Sequence, residues 1–235
     1  MWSRKELKAK AKVAFKANYW KTVIVAAIYA AITAAASSAA TNTDGAQGES
    51  LNDLISKAIE ESHLPEPLFL TIVMSIVSFG LLIALAIEVF AKYPVLVGCS
   101  RFFVKNETDE EKPGVLTIFS TFGKNYLNVC FSYFLTRLVI GLWSLLLIIP
   151  GLIKSLEYRM VRYILAEDPS MGAKEAMALS KKMMKGEKWN LFVLDLSFIG
   201  WGILGVLTGG IADIFYVRPY KYQTDAELYL TLKNK

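Results

Sequence analysis

Residues 143–166 read WSLLLIIPGLIKSLEYRMVRYILA, an apolar run that is interrupted at Pro150-Gly151 and then acquires charges. The charged residues are Lys154, Glu157, Arg159 and Arg162. A charged side chain at the centre of a bilayer costs roughly 3 kcal/mol or more, so it faces a bundle interior or a wet cavity and finds partners there. This stretch therefore predicts a polar interior within a membrane protein.

The composition supports this class. Hydrophobic residues make up 54% of the 235 positions and the mean hydropathy is +0.39, whereas an ordinary soluble domain is roughly 45 to 50% apolar. We predict an all-α polytopic membrane helix bundle, because the apolar runs approach the ~20 residues that cross a bilayer as a helix. About six membrane segments are expected, at 22–40, 68–91, 127–149, 151–166, 189–207 and 211–232. The fourth and the sixth are short or polar, and a re-entrant course remains the alternative for both.

Loop charges orient the bundle, since short cytoplasmic loops carry the excess of Lys and Arg. Residues 1–21 hold seven basic residues against one acid, and the loop at 41–67 holds six acids against Lys57. With outer turns at 150–151 and 209–210, both termini of this multi-pass cell-membrane protein are expected in the cytoplasm. The chain then divides into a basic amphipathic N-terminal helix, 1–21, and a single membrane domain, 22–235, with an acidic extracytoplasmic loop at 41–67.

Two amphipathic helices are predicted beside the spans. Ser3-x-x-Glu6 is a capping box, and it precedes an apolar face made of Leu7, Ala11, Ala14 and Phe15. This first helix either lies on the anionic inner leaflet or only anchors the chain by its positive charges. For the first span, 22–40, a secretory signal is the alternative, because Ala34-x-Ala36 and Ser38-x-Ala40 resemble cleavage sites, but the basic segment before it is longer than such signals carry. The second helix, 170–186, is expected to pack under the bundle in the cytoplasm, with lipid contact by its basic face as a secondary possibility.

The depth of each charge in its span predicts which charges pair. At ~1.5 Å per residue, Arg137 and Arg218 are expected around Glu157, Lys154 with Asp213, and Arg162 with Asp195. The expected ligand-binding set is Arg137, Lys154, Glu157, Tyr158, Arg159, Arg162, Asp195, Asp213 and Arg218. Basic residues outnumber acids in this set, five to three, which leaves room for an anionic ligand. In the alternative interpretation the polar pairs only hold helices together.

Motifs of catalysis are missing from the sequence. His63 is the single histidine, so neither a His-based triad nor a His-rich metal site can be assembled. Cys99 and Cys130 lack CxxC spacing, and the sequence contains no phosphate-binding loop and no nucleophile elbow. Aromatic residues do not interleave with the lysines as in nucleic-acid-binding motifs. We therefore expect no enzymatic activity, no cofactor, no metal and no nucleic-acid partner.

Several motifs resemble a known family. They are Trp2-x-Arg4-x-x-Leu7-Lys8, Asn18-Tyr19-Trp20, Gly98-x-x-Arg101-Phe102-Phe103, Pro150-Gly151-x-x-Lys154-x-x-Glu157-Tyr158-x-Met160, Ser180-x-x-Met183-Met184-Lys185-Gly186, Leu194-x-Leu196-Ser197-Phe198-Ile199-Gly200-Trp201, Pro219-Tyr220 and Ala226-Glu227-x-Tyr229. Almost end to end, the chain resembles the bacterial integral membrane proteins of the domain of unknown function 975 family, which are common in Gram-positive organisms. The resemblance implies a multi-span plasma-membrane protein without an assigned activity.

Three functional hypotheses remain open. The preferred one is a non-enzymatic integral membrane protein that binds or handles anionic lipid, or an envelope-active amphiphile, through the charged intramembrane cluster. The second is a small-solute transporter or pathway, because two turn-broken helical pairs carry midplane charges; with six spans it would need a homo-oligomer. The third is an accessory or scaffold subunit of a membrane complex. Lipids of the anionic inner leaflet are expected partners in the first case, and membrane proteins in the third.

Overall fold

The computed structural model describes residues 2–41, 56–57, 59–61, 65–109 and 111–235. Within these ranges the regular structure is helical and no strand occurs. The chain forms one unit of Met1–Ala31 with Val89–Lys235, and a second unit of Ile32–Glu88. His63 and most of the predicted acidic loop at 41–67 lie outside the described residues.

The helices of the described residues follow one another in this order. They are α1 (Arg4–Ala17), α2 (Tyr19–Thr41), α3 (Glu66–Ile87), a π-helical turn (Glu88–Lys92), α4 (Tyr93–Thr108), a 3-10 helix (Val115–Thr121), α5 (Tyr126–Leu146), α6 (Ile148–Glu157), α7 (Val161–Glu167), α8 (Ala173–Met183), α9 (Lys188–Leu207), a second π-helical turn (Asp213–Val217) and α10 (Arg218–Lys233). The all-helical prediction is thus confirmed for the described part of the chain.

Three helical segments of the described residues are long and apolar enough to cross a membrane. They are Pro67–Thr108, Tyr126–Leu146 and Lys188–Leu207, and they overlap the predicted spans at 68–91, 127–149 and 189–207. The predicted first span, 22–40, falls within α2 (Tyr19–Thr41), of which Tyr19–Thr33 is the described apolar part. These segments are compatible with a membrane protein.

The prediction of six membrane segments is not confirmed, because the fourth and sixth do not form spanning helices. The fourth segment, 151–166, is divided between α6 and the seven-residue α7, with the helical course broken after Glu157. The sixth, 211–232, becomes a π-helical turn followed by α10, which buries polar residues such as Gln223 and Asp225. Both segments carry a polar face that the protein buries within itself.

One predicted turn is displaced and the other is confirmed. The chain turns at Leu147, which is extended, so Pro150 and Gly151 lie inside the first turns of α6. Proline is tolerated there because first-turn amides need no helical acceptor. A Cβ on Gly151 would lie 2.3 Å from the Ser144 Oγ, so glycine allows α6 to pack closely on α5. Gly209 and Gly210 both have positive φ and form the second expected turn.

Helix α1 begins as predicted but packs on protein. The backbone amide of Glu6 donates to the Ser3 Oγ at 3.2 Å, and the face that contains Leu7 and Phe15 is buried. That face lies against α10, where the Tyr220 hydroxyl donates to the carbonyl of Lys8 at 3.1 Å. The interpretation in which this apolar face lies on lipid is therefore wrong, because α10 covers it.

The predicted helix at 170–186 is shorter than expected. It runs as α8, packs against α5 and α7, and buries Ala176 and Ser180. Gly186 has positive φ in the connection to α9, as a residue that follows a helix end often does. Packing was the expected role of this helix, and its lysines remain on the exposed side.

Candidate functional site

A polar cavity of about 340 Å³ lies among α2, α5, α6, α7 and α10. Its walls are formed by Tyr29, Tyr133, Thr136, Arg137, Ile140, Ser155, Tyr158, Arg159, Arg162, Arg218, Lys221, Tyr222 and Asp225. Five basic side chains and one carboxylate thus line the cavity. Hydroxyl groups from four tyrosines, a serine and a threonine make the remaining surface largely polar.

Arg159 is the centre of the charged network and lies in the break between α6 and α7. Its guanidinium group donates to both oxygens of Asp195, at 2.7 and 3.1 Å, and to both oxygens of Asp225, at 3.0 Å each. Two-pronged contacts of this kind fix orientation as well as charge. Arg159 therefore ties α9 to α10 at the wall of the cavity.

Arg162 is the second buried guanidinium of this network. Its Nη2 lies 3.2 Å from the Asp225 Oδ2 and donates to the Tyr163 hydroxyl at 2.9 Å, while Nη1 donates to the Tyr29 hydroxyl. Its guanidinium carbon lies 4.8 Å from the centre of the Tyr163 ring. Its Nε is buried and has no hydrogen-bond partner in the described part of the chain. The single carboxylate of Asp225 thus serves two arginines.

Arg137 differs from these arginines because it has no carboxylate within ion-pair distance in the described residues. It lies roughly 16 Å along the Tyr126–Leu146 segment, near the middle of a helix that is long enough to span a membrane. Its side chain lines the cavity and is also exposed on the surface of the protein. The cavity therefore has an unpaired cation at its edge.

The predicted pairing around Glu157 is wrong. Glu157 lies 2.6 Å from the Nζ of Lys154 on its own helix and 3.2 Å from the Nζ of Lys188 on α9, and it does not line the cavity. Neither Arg137 nor Arg218 contacts it. The depth argument assumed a continuous helix after a turn at 150–151, whereas the chain turns at Leu147 and breaks after Glu157.

The other two predicted pairs also form differently. Asp213 pairs with Arg218, five residues further along, instead of Lys154. Asp195 pairs with Arg159 and lies 3.2 Å from Lys221, while Arg162 takes Asp225. The break between α6 and α7 causes this exchange, because it turns Arg159 toward α9 and moves Arg162 toward α10.

Five of the nine predicted site residues line the cavity, namely Arg137, Tyr158, Arg159, Arg162 and Arg218. Asp195 joins the network from α9. Glu157 lines a separate groove and pairs with Lys154, and Asp213 forms a local pair with Arg218. The sequence argument missed Lys221 and Asp225. Their signal was available, because Arg218, Lys221, Tyr222 and Asp225 recur at the three- and four-residue spacing of one helix face.

The fold and the cavity together define a helical protein with membrane-spanning capacity and a polar, positively charged interior. Residues 145–235 match the family model described as Protein of unknown function (DUF975), which confirms the predicted family over this part of the chain. The match includes α6 to α10 and hence the cavity residues from Ser155 to Asp225. The motifs before residue 145 lie outside it and remain predictions. No curated protein and no solved structure matches the chain.

Proposed function

We propose that this protein is a non-enzymatic integral membrane protein that binds an anionic lipid or a related anionic amphiphile in the polar cavity. The observation that carries the proposal concerns Arg137, which lies in the middle of an apolar helix and lines the cavity. Among the described residues, no carboxylate pairs with its guanidinium group. An anionic ligand would supply the compensating charge that such a position requires.

The charge balance of the cavity supports the same proposal. Asp225, Asp195 and Asp213 offset three of the five basic side chains around the cavity, which leaves a net charge of +2. A phosphate-bearing headgroup carries the complementary charge, and arginine is well suited to contact its oxygens in two-pronged fashion. The volume of about 340 Å³ falls in the range of small-ligand sites.

The surface around Arg137 suits the apolar part of an amphiphile. Leu138 and Leu142 follow Arg137 on α5, and both are exposed. An acyl chain could lie along these side chains while its headgroup reaches the guanidinium group at the cavity edge. Free inorganic phosphate would use the cations alone and gain nothing from the leucines. The apolar surface therefore favours an amphiphile over a free anion.

The proposal is tested by native mass spectrometry of the protein purified in gentle detergent. We expect a co-purified anionic lipid or amphiphile on the wild type, and its loss or at least tenfold depletion in Arg137→Gln. Arg4→Gln is the matched control, because Arg4 is exposed and does not line the cavity. Equal occupancy in Arg137→Gln and the wild type, with both proteins equally folded, would refute the proposal.

A small-solute pathway is the second candidate, and the broken helical course beside the cavity favours it. Interrupted helices line the substrate sites of many transporters, and here the break after Glu157 places Arg159 at the cavity wall. Uptake into proteoliposomes of a panel of small organic anions would separate the two functions. Flux that depends on Arg137, without a co-purified amphiphile, would support the pathway.

The proposed integral membrane protein has both termini in the cytoplasm. Accessibility labelling of the two termini tests this position.

A further inference from the structure

A second group of cations lies at the junction of α8 and α9, away from the cavity lining. Lys181, Lys182 and Lys185 are exposed there, and Trp189 exposes 71% of its surface. Together with Gly186, Lys188 and Glu157 they line an open groove of about 690 Å³. We call this surface the lysine groove and define it by Lys181, Lys182, Lys185 and Trp189.

The lysine groove has a surplus of positive charge. Glu157 is the acid of its lining, and it is already shared by Lys154 at 2.6 Å and Lys188 at 3.2 Å. The three lysines that define the groove have no carboxylate within ion-pair distance among the residues that the structure describes. Three cations are thus presented to the surroundings on one side of α8 and its C-terminal connection.

The position of Trp189 relates this groove to the membrane. Trp189 is the second residue of the Lys188–Leu207 segment, which is long and apolar enough to span a bilayer. Exposed tryptophans at the ends of such segments lie at the level of the lipid headgroups. The turn at Gly186, with a φ of 82°, connects the C-terminal end of α8 to the start of this segment. The lysines are therefore placed at the same level as the headgroups.

We propose that the lysine groove binds the headgroup of an anionic phospholipid in the leaflet that meets the start of α9. The lysine ammonium groups contact the phosphate, and the indole ring of Trp189 lies among the neighbouring headgroups. This site is separate from the cavity and shares none of its lining residues. Its occupancy is set by lipid charge, since lysines near a surface favour anionic over zwitterionic lipids.

The test measures quenching of tryptophan fluorescence in detergent-purified protein by brominated phosphatidylglycerol or brominated phosphatidylcholine. In the Arg137→Gln background, where the cavity site is removed, we expect phosphatidylglycerol to quench more strongly than phosphatidylcholine, and Trp189→Phe to remove the difference between the two lipids. Replacing the three groove lysines by Gln is expected to weaken phosphatidylglycerol binding at least about tenfold. The charge-matched control replaces three exposed lysines of α1 by Gln, namely Lys5, Lys12 and Lys16, and is expected to bind as the wild type does.

Three results would overturn the inference. The first is an equal loss of binding in the α1 control, which would make the effect one of net charge. The second is equal quenching by the two lipids. The third is full displacement of phosphatidylglycerol by millimolar inorganic phosphate, which would make the groove a site for free anions. Arg137→Gln is expected to keep the selective quenching, so failure of the cavity proposal and failure of the groove proposal remain distinguishable.

Discussion

Asp225→Asn tests whether one buried carboxylate holds the charged network together. The Asp225 side chain is only 4% exposed, and it accepts hydrogen bonds from Arg159 at 3.0 Å and Arg162 at 3.2 Å. Asparagine keeps the size of the side chain and removes its negative charge. Arg159 would then keep the carboxylate of Asp195, whereas Arg162, which is also largely buried, would lose its carboxylate partner among the described residues.

The structure sets the expected magnitude. Removing one partner of a buried ion pair costs about 3 to 5 kcal/mol, because the remaining charge stays buried without compensation. Arg159 keeps Asp195 at 2.7 Å, so we expect the lower end, about 3 kcal/mol. Asp195→Asn is expected to cost about 1.5 kcal/mol, since Asp195 is 26% exposed and the strongly buried Asp225 remains. The prediction rests on Asp225→Asn being more destabilising than Asp195→Asn, more than on either free-energy value.

The assay is thermal and denaturant unfolding in detergent micelles, followed by circular dichroism. A loss of about 3 kcal/mol lowers the Tm of a protein of this size by about 6 to 12 °C. Asp109→Asn serves as control, because its pair with Lys105 is 3.6 Å long and exposed, and it is expected to change stability by less than about 0.5 kcal/mol. The reasoning is refuted if Asp225→Asn is no more destabilising than Asp195→Asn.

Two further predictions concern packing and pH. Gly98→Ala would place a Cβ 1.8 Å from the carbonyl oxygen of Ile118, so we expect the free energy of unfolding to fall by about 3 kcal/mol or more. The Cβ of Gly141→Ala meets open space, so we expect the free energy of unfolding to rise by about 0.5 to 1 kcal/mol. Unfolding measurements that gave both changes the same sign would contradict this prediction. Burial raises the pKa of Glu187, but the charge of Lys235 and the hydrogen bonds from Lys235, Asn190 and Trp2 together outweigh burial and hold the pKa below its usual value. The stability that Glu187 contributes is therefore present above its ordinary pKa and is lost as the pH falls through its lowered, folded-state pKa. We expect Glu187→Gln to flatten the acid side of a profile of Tm against pH. A profile identical to that of the wild type would contradict this prediction.

The sequence predicted features that depend on neighbouring residues alone. The apolar runs at 68–91, 127–149 and 189–207 are long and uninterrupted enough to predict three of the helices, since length and hydropathy are local properties. The cap at Ser3 and the turn at Gly209-Gly210 follow from side-chain and backbone preferences of a few residues. The helix face that contains Leu7 and Phe15 was visible in the spacing of apolar residues.

Tertiary structure decided how the charges pair and what covers the amphipathic helices. A turn at Leu147 and a break after Glu157 rotate the following residues. Arg159 therefore takes Asp195, which the depth of each span assigns to Arg162, and also Asp225, which the depth of the spans does not assign. The apolar face of α1 looks equally suited to a membrane and to a protein surface, and α10 is what it meets. Helix spacing determines which residues share a face, but only the packing of distant segments determines what that face contacts.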